Sequence, residues 1–149
     1  MDGYEISTDR ARLDLRAIHA YLVRSYWSAE IPLETVERAA RNSLCFGVYE
    51  TASSAQVGFT RVVTDYATFA YLCDVYVLEE HRGRGLSKWM MREVMAHPAL
   101  AGARRAMLAT RDAHGLYEQF GFVVTGKAGN LMEHVRPDIY RVRAAADSP

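Results

Sequence analysis

The apolar run Val75-Tyr76-Val77-Leu78 stops at Glu79-Glu80-His81 and passes into Arg82-Gly83-Arg84-Gly85-Leu86-Ser87-Lys88. The run has strand character, and two glycines then follow within three positions. Leu86, Trp89, Met90 and Val94 next fall on one face of a helix. A strand, a glycine turn and a helix start leave the first-turn N–H groups without intrahelical acceptors, and the helix dipole favours negative charge there. Arg82, Arg84 and Lys88 add positive charge. The ligand expected at this turn carries phosphates.

That charge is local. The 149 residues hold 18 basic and 18 acidic side chains, a formal net charge of zero. Broad electrostatic capture of nucleic acid or of an anionic membrane is therefore not expected. No apolar run approaches the roughly 20 residues that span a bilayer. The first residues, Met1-Asp2-Gly3-Tyr4-Glu5, lack the basic-then-apolar pattern of a secretory signal. Cys45 and Cys73 sit in apolar runs without metal-ligand spacing and read as buried thiols of a reducing compartment. These features suit a cytoplasmic protein. The five histidines are scattered, so no metal site is expected.

The length suits one domain, residues 1–149, with a disordered tail from Ala144 to Pro149. Strands are expected at Tyr4–Ser7, Leu44–Glu50, Gln56–Thr64, Thr68–Leu78, Arg105–Ala109, Phe122–Thr125 and Ile139–Val142. Helical spacing marks residues 11–25, 33–41, 85–96 and 113–120. Pro32 suits the first position of the second helix, Pro98 stops the third, and Asp112 caps the fourth, which Gly121 ends. The early strands form hairpins. The unit around residues 68–109 needs a crossover and a parallel pair. The expected fold is α/β (α+β): a mixed, mostly antiparallel sheet of six to seven strands with helices on both faces.

At this point the sequence resembles the GNAT superfamily of acyl-coenzyme A-dependent N-acyltransferases. That family carries Gln/Arg-x-x-Gly-x-Gly/Ala after its fourth strand; here Arg82 and Gly85 match and Ser87 holds the last small position. A second signature, Asn-x-x-Ala-x-x-x-Tyr followed by Gly-Phe, is met by Ala113, Tyr117 and Gly121-Phe122, with Thr110 in place of the asparagine. The resemblance spans roughly residues 4–143.

The resemblance implies acetyl-CoA as cofactor, with its diphosphate on the amides of Gly83, Arg84, Gly85, Leu86 and Ser87 beside Arg82, Arg84 and Lys88. It implies that a backbone N–H of Val75, Tyr76 or Val77 polarises the thioester oxygen, as an oxyanion-hole donor does. Thr110, His114 and Tyr117 border the cofactor in the same reading. Tyr117 holds the position of the general acid. A tyrosine, with pKa ~10 against ~8.5 for a thiol, is still protonated when a thiolate departs. The amine's proton also needs an acceptor. Asp74, Glu79, Glu80 and His114 are candidates, with Asp74 foremost because a carboxylate inside an apolar strand needs partners or work. Strict alternation sets Asp74 opposite Tyr71, Cys73, Val75 and Val77, unless a bulge intervenes. The acceptor side is expected at the connector carrying Tyr26 and Trp27. Arg24, Glu34 and Arg38 lie nearby in sequence, and Lys127–His134 supplies a rim.

The activity expected is acetyl transfer from acetyl-CoA to a primary amine of a small molecule, by direct transfer in a ternary complex. A protein or peptide amine is the second choice, and a non-catalytic acyl-CoA-binding module the rival from another class. A P-loop Gly-x-x-x-x-Gly-Lys-Ser/Thr and a first-strand Gly-x-Gly-x-x-Gly are both missing. Partners are the amine and no nucleic acid or membrane. An exposed sheet edge or the aromatic connector suits a homodimer.

Overall fold

The computed structural model describes residues 1–146, with side chains through Val142. Its strands are β1 (Tyr4–Ser7), β2 (Leu44–Glu50), β3 (Gln56–Thr64), β4 (Phe69–Val77) and β5 (Arg105–Leu108). Its helices are α1 (Leu15–Leu22), α2 (Leu33–Arg41), α3 (Leu86–Ala96), α4 (Pro98–Ala101), α5 (His114–Glu118) and α6 (Ile139–Ala146). The sheet runs β1-β2-β3-β4-β5, antiparallel except for the parallel pair β4–β5, which α3 and α4 connect. One sheet of mixed sense in an α+β fold agrees with the sequence reading.

Helices cover both faces. On one, Phe46, Val48, Val62 and Leu72 pack with Met90, Met91 and Val94 of α3. On the other, Cys45, Phe59 and Tyr76 pack with Ile18 and Leu22 of α1 and Val36 and Ala40 of α2. Serving both layers, β3 is buried along most of its length. The spacing of Ile18 and Leu22 puts both on the buried stripe of α1. The Asp14 carboxylate accepts the Ala17 N–H and starts that helix, so residues 10–12 form a separate 3-10 turn ahead of it.

Several expected boundaries move. Among the described residues the sheet has five strands, not six to seven. Residues 122–125 lie outside any ladder, and a strand exists only with a hydrogen-bonded neighbour. Their expected neighbour, residues 139–142, is part of α6 instead. Arginine and alanine favour helix there, Tyr140 packs against the α1–α2 layer, and Arg141 pairs with Glu30. The helix reaches Ala146, into the segment expected to be a disordered tail; residues 147–149 lie outside the described residues. Pro32 is the N-cap of α2, one position earlier than expected. Pro98 ends α3 and also opens α4. Asp112 makes no cap bond to α5; Thr110 Oγ1 accepts the Ala113 N–H at 3.0 Å in its place.

The β3–β4 turn depends on one carboxylate. Asp65 accepts the N–H groups of Ala67, Thr68 and Phe69 and the Thr68 hydroxyl. These bonds, the hydroxyl's first, hold its pKa well below the ordinary carboxylate value. A depressed pKa contributes stability above about pH 4 that is lost as pH falls through the folded value. Asp65→Ala is therefore expected to lower Tm at neutral pH. The gap from the parent protein should shrink in thermal melts below pH 3; a constant gap would show that the charge is not what holds the turn.

Candidate active site

Asp74 departs from the strand around it. Its φ is +57°, in the left-handed region. Register slips there: Arg61 faces Cys73 and Phe59 faces Tyr76, so Thr60 opposes both Asp74 and Val75. This is a β-bulge. It corrects strict alternation, because Val75 and Val77 join Ala70 and Leu72 on the α3 side while Tyr76 faces α1 and α2. The β4–β5 ladder covers only Phe69↔Arg105 to Leu72↔Leu108. Past it, Val75, Tyr76 and Val77 keep β3 on one side and have no strand partner on the other among the described residues.

The bulge delivers a carboxylate to a prepared place. Asp74 is 8% exposed. One oxygen accepts Arg61 Nε at 2.7 Å, and the other accepts the indole N–H of Trp27 at 3.2 Å. Arg61 Nη1 also donates to the Ser43 hydroxyl. Trp27 is thus pinned by the sheet, and Tyr26 stands edge-on to it with ring centroids 5.1 Å apart. The Arg111 guanidinium lies 4.0 Å over the Tyr26 ring, joining the α1–α2 connector to the β5–α5 loop. Tyr21 of α1 stacks on Tyr76, centroids 3.8 Å apart and planes 8° off parallel.

Below the bulge the chain makes its glycine turn. Gly83 and Gly85 have φ of +75° and +78°, where a Cβ would be strained. Gly85 is the N-cap of α3, no side chain caps the helix, and its first turn holds no acid. The opening amides are thus free to face an anion. Arg84 and Lys88 are exposed and make no ion pair among the described residues. Ser87 is half-buried beside them, and Leu86 is buried in the core, so it offers the turn only its backbone. Arg82 does different work. Its Nε donates to the Val77 carbonyl at 3.0 Å, and Nη2 reaches the Tyr21 hydroxyl and Glu79. It ties the turn to the end of β4.

Tyr117 is 8% exposed on α5, and Phe122 meets it edge-on. Burial first, and the neighbouring Tyr26 second, push its pKa up to about 12. Its hydroxyl makes no hydrogen bond among the described residues and is not among the occluded polar atoms. Thr110 turns the chain into α5, and His114 is exposed on its first turn. A groove of about 920 Å³ runs between β5 and residues 122–131, with Thr110, His114 and Tyr117 in its wall.

The other candidates are committed elsewhere. Glu79 pairs with Arg24 and Arg82, Glu34 with Arg38, and Glu80 is exposed. Burial raises Cys45 to about 11 and Cys73 to about 12, which keeps both thiols protonated at neutral pH. Sequence reasoning passed over Arg61, Tyr21 and Arg111. Arg61 did leave a signal: it is the one charge inside the apolar run of β3, as Asp74 is inside that of β4. Such opposite charges on neighbouring strands are candidates to pair.

Comparison with known proteins adds four findings. A family model described as an acetyltransferase (GNAT) domain matches residues 41–124, more than half of the chain. A provisionally named acetyltransferase of Gibberella zeae is 38% identical, over 76% of this chain and 75% of that one. A crystal structure from Xanthomonas campestris pv. campestris, provisionally assigned as an acetyltransferase of the GNAT family, is 51% identical with a TM-score of 0.89, covering 94% of this chain and 98% of that one. A GNAT family acetyltransferase of Elizabethkingia anophelis, solved with acetyl-CoA bound, shares the fold at 13% identity and a TM-score of 0.64, over 84% of this chain and 79% of its own.

Proposed function

Because this chain belongs to the GNAT family of acetyltransferases, we propose that it moves an acetyl group from acetyl-CoA to a primary amine of a small molecule, by direct transfer while both are bound. The observation that carries this reading is the uncapped start of α3, with two left-handed glycines and two cations that make no ion pair among the described residues, beside a β4 that parts from β5 after Leu72. Those features fit a diphosphate and an extended arm that needs main-chain partners. Bound acetyl-CoA would supply the activated acyl group.

The chain's own residues do the rest. Amides of Gly83–Ser87 bind the diphosphate, with Arg84 and Lys88 as its counter-charges. Main-chain groups of Val75–Val77 orient the acyl end and offer N–H to its oxygen. Tyr117 holds a proton on its phenol oxygen for a departing thiolate, and its burial keeps that proton in place. Tyr26 and Trp27 form the acceptor side. Asp74, with both oxygens engaged, positions Trp27, and the amine's proton passes to water as the bond to the acyl carbon forms and the thiolate takes its own from Tyr117.

Titration calorimetry with coenzyme A, followed by thiol release from acetyl-CoA across a panel of small amines and peptides, tests the proposal. Binding with turnover of small amines supports it. Turnover of peptides alone would move the acceptor to proteins, and binding without turnover would make the chain a sensing module. The anion site has its own check. Charge reversal of Arg84 and Lys88 together is expected to weaken coenzyme A binding by about tenfold or more at low salt, less at high salt, with Tm unchanged. Unaltered affinity would place the diphosphate elsewhere.

A further inference from the structure

The cleft where β4 and β5 part has two rims. Leu72 and Leu108 form the last rung of the ladder, and Val75 and Arg111 each lie three residues beyond it, so they flank the opening. Parallel strands sit about 4.8 Å apart where they pair, and the gap widens from there. From its rim Arg111 reaches the α1–α2 connector, its guanidinium 4.0 Å from the centre of the Tyr26 ring. Tyr26 and Trp27 are both exposed, and their planes meet at 82°. Two rings at that angle make an apolar corner, in which the Asp74 carboxylate holds Trp27 still. The corner adjoins the phenol proposed as general acid, since Tyr26 is one of the two influences that raise the Tyr117 pKa. Charge decides what such a corner accepts. Asp74, Glu79 and Glu30 border this wall, and all three are paired: with Arg61, with Arg24 and Arg82, and with Arg141. A second positive charge on an acceptor would find none of them free. Arg111 differs. Its side chain is 66% exposed, and the Asp112 carboxylate stands 3.8 Å off, too far for a hydrogen bond. Its planar fork of N–H donors suits a carboxylate held by two parallel bonds.

Resting on the acetyl-transfer reading, we propose that the acceptor is an α-amino acid with an aromatic or large aliphatic side chain. Arg111 holds its carboxylate, and the Tyr26–Trp27 corner takes its side chain. Arg111 is then the residue that sets specificity. The amine nitrogen shares its carbon with the carboxylate, so a carboxylate anchored on one rim presents the nitrogen to the acyl carbon at Val75–Val77 on the other. A C–N bond forms there and the C–S bond breaks. Tyr117 protonates the departing thiolate, and the amine's own proton leaves to water. The products are an N-acetyl amino acid and coenzyme A. An amine without a carboxylate would leave the guanidinium unanswered and bind with less order.

The test sets L-phenylalanine, L-tryptophan and L-leucine each against its carboxamide, which keeps the shape and loses the charge. The wild-type protein is expected to use the acids with kcat/KM about tenfold or more above the carboxamides. Arg111→Gln should shrink that ratio by about tenfold or more, and Arg111→Lys, which keeps the charge without the fork, should retain part of it. The two amines of each pair are the same in every variant, so the change in ratio reports the carboxylate contact alone. Folding should be unaffected at so exposed a position, which thermal melts check. Equal use of acid and carboxamide, or a ratio unmoved in Arg111→Gln, would overturn the proposal and leave acetyl transfer standing. Calorimetry with the same amino acids in the presence of coenzyme A separates the two readings. Binding of L-phenylalanine that Arg111→Gln abolishes, with no acetyl group transferred, would uphold the carboxylate site and remove the transfer reading. Binding of none of the three acids would overturn the proposal.

Discussion

Tyr117→Phe is expected to lower kcat by about 10²–10³-fold, the range of a single positioned general acid, with coenzyme A affinity unchanged. The expectation follows from where the phenol sits. Burial on α5 raises its pKa to about 12, so it remains a donor at neutral and mildly alkaline pH. Its ring packs edge-on with Phe122, and phenylalanine would keep that contact while removing only the oxygen. The raised pKa also fixes the sign of a pH effect. Stability from the buried neutral phenol is complete below about pH 10 and is lost as pH rises through the folded value. No alkaline fall in kcat from Tyr117 should therefore appear below pH 10. Steady-state kinetics of the variant, with calorimetry for coenzyme A, checks both points; unchanged turnover would remove Tyr117 from the mechanism.

Asp74→Ala is expected to destabilise the fold by about 3 kcal/mol, because it strands the largely buried Arg61 without its partner. For a domain of this length that corresponds to a fall in Tm of roughly 6–12 °C. Asp74→Asn should cost less. Asparagine tolerates the left-handed backbone, and its one amide oxygen can still accept from the guanidinium while its NH2 group faces the indole N–H. Both variants should loosen Trp27, raising KM for the amine more than they lower kcat, since the carboxylate holds Trp27 of the proposed acceptor side. A large fall in kcat in Asp74→Asn with unchanged KM would return Asp74 to the chemistry. Thermal melts beside acceptor kinetics separate the two roles.

The sequence carried the strand–turn–helix at residues 75–96 because each of its signals is local: an apolar run, two glycines, then a helical stripe. The hairpins around residues 51–55 and 65–68 were readable for the same reason. What escaped depended on distant partners. Nothing near Phe122–Thr125 says whether a neighbouring strand exists, and Ile139–Val142 has strand-like residues that the arginines and alanines around it turn into a helix. In the candidate site, Tyr117 and the turn amides were singled out through motifs whose spacing is fixed by one element. Asp74 was noticed as a charge in an apolar run, but its anchoring to Arg61 and Trp27 joins residues 13 and 47 positions away.

The extra residue in β4 is surplus to packing. Val75 and Val77 already share a layer with Ala70 and Leu72, so a strand one position shorter would alternate without interruption and fill both layers as they stand. It would also lie flatter and could zip further along β5. Excising position 74 should consequently yield a protein that folds around an orphaned Arg61, yet has shut the cleft through which an acyl chain would thread.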